Sequence, residues 1–185
     1  MMKKIIILAS GSGTNAENII RYFQSSSEVE VHSVLCNKKE AGVYQRAKRL
    51  QTPCHWLDTT STNSLLAYCK AQAPDLIVLS GYLKKIPSEL IHQFENKIIN
   101  IHPALLPKYG GKGMFGMNVH KAVKAAGEKV SGITIHYVNA QYDKGEVIFQ
   151  AQTNLQPEDQ PNEIAKKVQI LEYEYFPKVI EKLLK

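Results

Sequence analysis

Along the chain, short apolar runs rich in β-branched residues alternate with longer stretches in which apolar residues recur every three or four positions. Runs of the first kind read as buried strands, stretches of the second as amphipathic helices, and their alternation predicts a largely parallel α/β sheet. The first strand is expected over Ile5–Ala9 and the first helix over Asn15–Phe23. Val29–Cys36 reads as the second strand, followed by a helix around Gly42–Leu50 with Val43, Ala47 and Leu50 on one face. A short strand, Cys54–Leu57, leads to a helix over Thr62–Gln72, and Asp75–Ser80 is the clearest buried strand. A short helix after Pro87 turns Leu90, Ile91 and Phe94 inward, and the next apolar run ends at His102-Pro103. From Pro107 to Gly116 glycine and lysine dominate, which marks a loop with either mobility or close backbone approach. A helix over Asn118–Ala126 then precedes strands Ser131–Val138 and Val147–Asn154, joined through a turn at Asp143 and expected to be antiparallel. Pro161 fits the first turn of a last helix towards Lys185, with Pro177 either kinking it or opening a separate segment. No repeat, low-complexity tract or linker interrupts the pattern, so residues 1–185 are expected to form one domain.

Two places in this pattern carry chemistry. Asn100 and His102 lie two apart at the end of a strand-like run, so they share a face. An amide donor beside a titratable imidazole can stabilise an oxyanion and move a proton, and Asp143 supplies a carboxylate further on. Taken alone, the trio also fits a hydrogen-bonded histidine at a strand end and an ordinary Asp-Lys-Gly turn. The second place is Ser10-Gly11-Ser12-Gly13-Thr14-Asn15, between the first strand and the first helix. Backbone N–H groups and a helix dipole there suit a phosphate, or the run is simply a tight turn with an N-cap. It holds neither a full G-x-G-x-x-G nor a P-loop, so a dinucleotide or nucleoside triphosphate is poorly supported.

Asn100-Ile101-His102-Pro103-Ala104-Leu105-Leu106-Pro107, then Gly132-Ile133-Thr134-Ile135-His136-Tyr137-Val138 and Asp143, closely resemble the 10-formyltetrahydrofolate-dependent formyltransferases. The resemblance runs along essentially the whole chain. It implies a Rossmann-like fold: a mostly parallel twisted sheet with helices on both faces and antiparallel strands in the C-terminal half. The N-terminal half would bind phosphate and the C-terminal half would carry the folate site. The activity implied is transfer of the formyl group of 10-formyltetrahydrofolate, a co-substrate, to the amine of glycinamide ribonucleotide in purine (IMP) biosynthesis.

The resemblance also implies site residues. Asn100, His102 and Asp143 would be catalytic, with Asn100 on the oxyanion, His102 a cation or proton shuttle, and Asp143 tuning it. Gly13, Thr14, Asn15 and Glu172 would hold the phosphate and ribose of the ribonucleotide. Leu83, Lys84, Lys85 and Ile86, with Asn139, Ala140, Gln141 and Tyr142, would border the folate beside Asn100 and Asp143. His120 and His136 would be supporting residues. The plainer alternatives are core positions for Leu83 and Ile86, helix-surface positions for His120 and Glu172, and a structural role for His136. A basic residue that some relatives set against the folate glutamate tail has no counterpart in Thr60-Ser61-Thr62-Asn63-Ser64. Rival readings are a sugar-nucleotide formyltransferase, a formyltetrahydrofolate deformylase or a non-catalytic folate-binding domain. Relatives acting on tRNA, and the deformylases, carry an extra domain for which this chain is expected to have no room.

Charge and composition narrow the partners. A net charge of +6 suits a phosphorylated substrate and a polyglutamylated folate, both anionic. The lysines are scattered without interleaved aromatics, which argues against nucleic acid. No run reaches membrane-spanning length, and Lys3-Lys4 followed by Ile5–Leu8 is too short for a signal peptide and reads as a strand. Cys36, Cys54 and Cys69 are odd in number and lack metal or redox spacing, so they are expected to be inert thiols in a reducing cytoplasm. No metal is expected, and small-molecule substrates are expected to meet a monomer or homodimer.

Overall fold

The computed structural model describes residues 2–58 and 62–185. Its elements in chain order are β1 (Lys3–Ala9), α1 (Thr14–Phe23), β2 (Val29–Cys36), α2 (Val43–Arg49), β3 (Cys54–Trp56), α3 (Thr62–Gln72) and β4 (Leu76–Leu79). They continue with α4 (Ser88–Gln93), β5 (Ile98–His102), α5 (Met117–Ala125), β6 (Val130–Tyr137), β7 (Val147–Asn154) and α6 (Pro161–Leu184). The strands hydrogen-bond in the order β3-β2-β1-β4-β5-β6-β7, a mostly parallel sheet flanked by helices with an antiparallel C-terminal pair. Thr60 and Ser61, part of the stretch considered for the folate tail, lie outside the described residues.

The chain forms two compact units, the first comprising Met1–Ile99 with Ile180–Lys185. At its centre β1 pairs with β2 on one side and β4 on the other, both parallel. A strand covered on both faces has no polar side to show, and Ile5, Ile6, Ile7 and Leu8 are all fully buried. On α1 the buried residues are Ala16, Ile19, Ile20 and Phe23, the i, i+3, i+4, i+7 stripe of an amphipathic helix. Burying each such isoleucine or phenylalanine stabilises by about 1.5–3 kcal/mol relative to leaving it in water. One strand boundary differs from expectation for a local reason. Asp75 stands outside β4: its carboxylate accepts the Lys4 backbone N–H at 2.8 Å and pairs with the Lys3 ammonium at 3.2 Å. That tether extends β1 to Lys3, and β4 begins one residue later, at Leu76.

The second unit is Asn100–Val179. In it β6 and β7 pair antiparallel, as the turn at Asp143 leads one to expect, with Ile133 opposite Ala151. Every residue from Ser131 to His136 is buried, whereas β7 alternates between exposed and half-buried along most of its length, as the outermost strand of the sheet. The last helix is a single element that runs through Pro177, so that proline does not open a separate segment. Among the described residues no helix is long and apolar enough to cross a membrane.

Candidate active site

In the second unit, β5 ends on half-buried Asn100 and buried His102, and two prolines then lead the chain into the loop that precedes α5. Thr134, on β6, pins the start of that loop: its hydroxyl donates to the Ala104 carbonyl at 2.7 Å and accepts the Leu106 N–H at 2.9 Å. The loop then folds back, so that His102 Nε2–H donates to the Tyr109 carbonyl at 2.8 Å. A neutral imidazole with its hydrogen on Nε2 keeps a basic lone pair on Nδ1. That nitrogen faces Asp143 Oδ2 at 3.6 Å.

Asp143 adopts a left-handed backbone conformation, φ 54°, which aspartate tolerates better than most residues. Its Oδ2 accepts the Gly111 N–H at 2.8 Å, and its Oδ1 lies 3.6 Å from His136 Nε2. His136 in turn donates through Nδ1–H to the Tyr137 carbonyl at 2.8 Å, and its Nε2 accepts from Asn100 Nδ2 at 3.2 Å. The turn can come this close because residue 145 has no side chain. A Cβ on Gly145 would lie 1.6 Å from the Tyr137 carbonyl oxygen.

Electrostatics set the resting protonation. Burial pushes the His102 pKa down, more than the Asp143 carboxylate and the Tyr109 carbonyl pull it up, and His136 lowers it further. His102 therefore rests neutral at neutral pH. Burial works to raise Asp143, but the His136 contact, the Gly111 N–H and the nearby His102 outweigh it and hold the carboxyl below its ordinary value. His120, on α5, is buried and not on the helix surface, and burial followed by proximity to His102 lowers its pKa. Its Nδ1 has no hydrogen-bond partner among the described residues.

The remaining expected residues fall into two groups. In the second unit, Asn139, Ala140, Gln141 and Tyr142 are exposed just before Asp143, with the Gln141 N–H bonded to Asn139 Oδ1 at 2.9 Å. Glu172 is half-buried on α6. In the first unit, Gly13 caps α1 in the left-handed region at φ 78°, with no side-chain cap. A Cβ there would sit 2.4 Å from Val43 Cγ2, so this glycine is demanded by packing. Thr14 and Asn15 follow it in the first turn of α1. Arg46 fastens the same loop, donating through Nε to the Ser12 carbonyl at 2.9 Å while its guanidinium binds Glu17. Chiefly through Arg46, and with Arg21 and Arg49 helping against burial, the Glu17 carboxyl is held at about 2.

Ser10 links the end of β1 to the segment after β4. Its hydroxyl donates to Asn37 Oδ1 at 2.6 Å and accepts the Leu83 N–H at 2.9 Å. Leu83 is 42% exposed and Lys84 and Lys85 are exposed, so all three can meet a ligand, whereas Ile86 is a core residue. A largely apolar cavity of about 290 Å³, lined by Leu105, Leu106, Val123 and Val130 among others, contains none of the expected site residues. No cluster of three or more His, Cys, Asp or Glu able to hold a metal occurs among the described residues. Burial pushes the Cys54 and Cys69 thiols up to about 11 and about 12, which makes them poor nucleophiles.

The structure thus gathers Asn100, His102 and Asp143, and it does so through His136, whose linking position sequence reasoning did not assign. The signal available was period two along β6: Thr134 and His136 share a face, and both hold the β5 end and its loop. The Tyr109 carbonyl and the Gly111 N–H are backbone groups and left no signal in the side-chain pattern.

Residues 3–180 match the family model described as formyl transferase. The chain is 36% identical to "phosphoribosylglycinamide formyltransferase, chloroplastic" of Arabidopsis thaliana, an alignment covering 96% of this chain and 64% of the plant protein. It thus spans somewhat less than two thirds of that relative's length. It is 37% identical to phosphoribosylglycinamide formyltransferase of Haemophilus influenzae, over 97% of this chain and 86% of that protein. The crystal structure of phosphoribosylglycinamide formyltransferase from Bacillus halodurans superimposes with a TM-score of 0.89 at 33% identity, covering 99% of this chain and 96% of that one.

Proposed function

The chain belongs to the formyl transferase family, and we propose that it transfers the formyl group of 10-formyltetrahydrofolate to the amine of glycinamide ribonucleotide. The products are N-formylglycinamide ribonucleotide and tetrahydrofolate, a step of purine (IMP) biosynthesis. The observation that carries this reading is the grouping of Asn100, hydrogen-bonded to His136, with Asp143 set 3.6 Å from both His136 Nε2 and His102 Nδ1.

The neutral amine attacks the formyl carbon, forming a C–N bond while the carbonyl electrons move onto oxygen. Asn100 has one amide N–H on His136 and a second to give to that oxyanion. The attacking nitrogen now carries a proton too many, and N10 of the folate needs one before its bond to carbon breaks. The free lone pair on His102 Nδ1 takes the first proton, and the Asp143 carboxylate beside it stabilises the imidazolium that forms. Delivery of a proton to N10, directly or through water, releases tetrahydrofolate and restores the neutral ring. Protons balance, and the transfer is redox-neutral.

Around this chemistry, Gly13, Thr14 and Asn15 would take the ribonucleotide phosphate at the N-terminus of α1, with Glu172 as a further substrate contact. Leu83, Lys84, Lys85 and the backbone of Asn139–Tyr142 would border the folate, with residues 1–185 acting as one formyltransferase domain. The unpaired thiols of Cys36, Cys54 and Cys69 favour a reducing cytoplasm as its setting.

The deciding experiment incubates the purified protein with 10-formyltetrahydrofolate and follows tetrahydrofolate release. Release is expected only when glycinamide ribonucleotide is added. Release without any acceptor would make the protein a deformylase, and release only with an amino sugar nucleotide would assign that acceptor instead.

A further inference from the structure

We propose that His136 is a positioning residue that sets which way the Asn100 amide faces, an inference that rests on the formyl-transfer reading above. An asparagine amide has two near-isosteric ends, and only one can serve an oxyanion: the nitrogen donates, while the oxygen would repel it. Something must therefore hold Asn100 against a half-turn. His136 does this through a tautomer fixed from behind. Its Nδ1 lies 2.8 Å from the Tyr137 carbonyl, a contact that requires a hydrogen on Nδ1. That leaves Nε2 as an acceptor, and an acceptor 3.2 Å from Asn100 selects the NH2 end of the amide. The other candidate partner of Nε2, Asp143 Oδ1, stands at 3.6 Å, too far for a hydrogen bond. With one N–H committed to Nε2, the amide plane is fixed and the second N–H is the one left for the substrate oxygen.

The anchoring carbonyl is itself held. The Tyr137 N–H donates to the Glu146 carbonyl at 2.9 Å, and Gly145 packs against the Tyr137 carbonyl where any side chain would collide. The turn that carries Asp143 and the ring that orients Asn100 are thus fixed to the same residue, Tyr137.

Two substitutions separate the two ends of the ring. Asn at 136 can still donate toward the Tyr137 carbonyl but cannot reach Asn100, whereas Gln reaches the position of Nε2 with an acceptor oxygen. His136→Asn is expected to lower kcat by roughly tenfold or more while both KM values stay within about threefold, the cost of a misaimed group. His136→Gln is expected to recover most of that loss. In an Asn100→Ala background, His136→Asn should cost several-fold less in kcat than it does in the wild-type protein, because the residue it positions is gone and only the ring's contact with Asp143 is left to lose. Equal losses in the Asn and Gln variants, or an undiminished loss on top of Asn100→Ala, would overturn the proposal. Nitrogen NMR of the wild-type ring at neutral pH is expected to show hydrogen on Nδ1 and a bare Nε2, and hydrogen on Nε2 would overturn it even where a variant does not fold. Failure of the underlying activity is seen separately, as absence of acceptor-dependent turnover in the wild-type protein, and the ring nitrogens still report the contact.

Discussion

His102 and Asp143 divide one task, and the division follows from which of them is charged at rest. The imidazole is neutral because it is buried, and the carboxyl stays below its ordinary value in spite of burial, with the Gly111 N–H donating to it. Asp143→Asn keeps an oxygen for the Gly111 N–H, so the loop contact survives while the charge is lost. We expect kcat to fall by about a hundredfold or more with both substrates still bound. Because the carboxylate raises the His102 pKa, its removal should also move the acid limb of the pH–rate profile to lower pH. Unchanged kcat and an unchanged profile would reduce Asp143 to a turn residue. Asn100, His102 and Asp143 were legible in the sequence because a motif preserves side chains at fixed spacing. The neutrality of His102 and the burial of His120 were not, because both depend on what packs over the ring.

At the scale of elements, most strands and helices were readable from periodicity alone, and the departures have local causes. Asp75 trades a place in β4 for a tether to Lys3 and Lys4, a tertiary contact that no window of sequence reports. The loop before α1 is a sharper case. A bulky residue at Gly13 would be the obvious probe of phosphate approach, yet its Cβ would strike Val43, so such a variant reports folding and not substrate. Thr14→Val is the cleaner probe, since it removes a hydroxyl at the first turn without adding bulk. Loss of one hydrogen bond to phosphate should raise KM for glycinamide ribonucleotide by roughly threefold to tenfold, with kcat, the folate KM and Tm unchanged. A KM that rises equally for both substrates, or not at all, would remove the phosphate from this loop.

For the molecule as a whole, acid should be destabilising well before its carboxylates titrate. His102 and His120 both have pKa values pushed below the ordinary 6.5 by burial, so the unfolded chain binds protons on these rings more readily than the folded one. Stability then falls as pH drops through and below 6.5, and nothing is gained at these two sites on acidification. The lowered carboxyls act in the same direction further down. Asp143 and Glu17 stabilise the fold above their unfolded values, and that contribution is lost as pH falls through their folded ones, about 2 for Glu17. The net charge of +6 was legible in the sequence and also grows on acidification, so its self-repulsion must be told apart from the buried rings. Salt separates them: it screens surface repulsion and leaves buried groups largely untouched. The denaturant midpoint should therefore fall between about pH 7.5 and 5.5 even at high salt, and His120→Gln should flatten that fall by removing one of the two titrating rings. A midpoint that holds constant over that range, or whose fall disappears in salt, would mean that the buried histidines do not govern how this protein responds to acid.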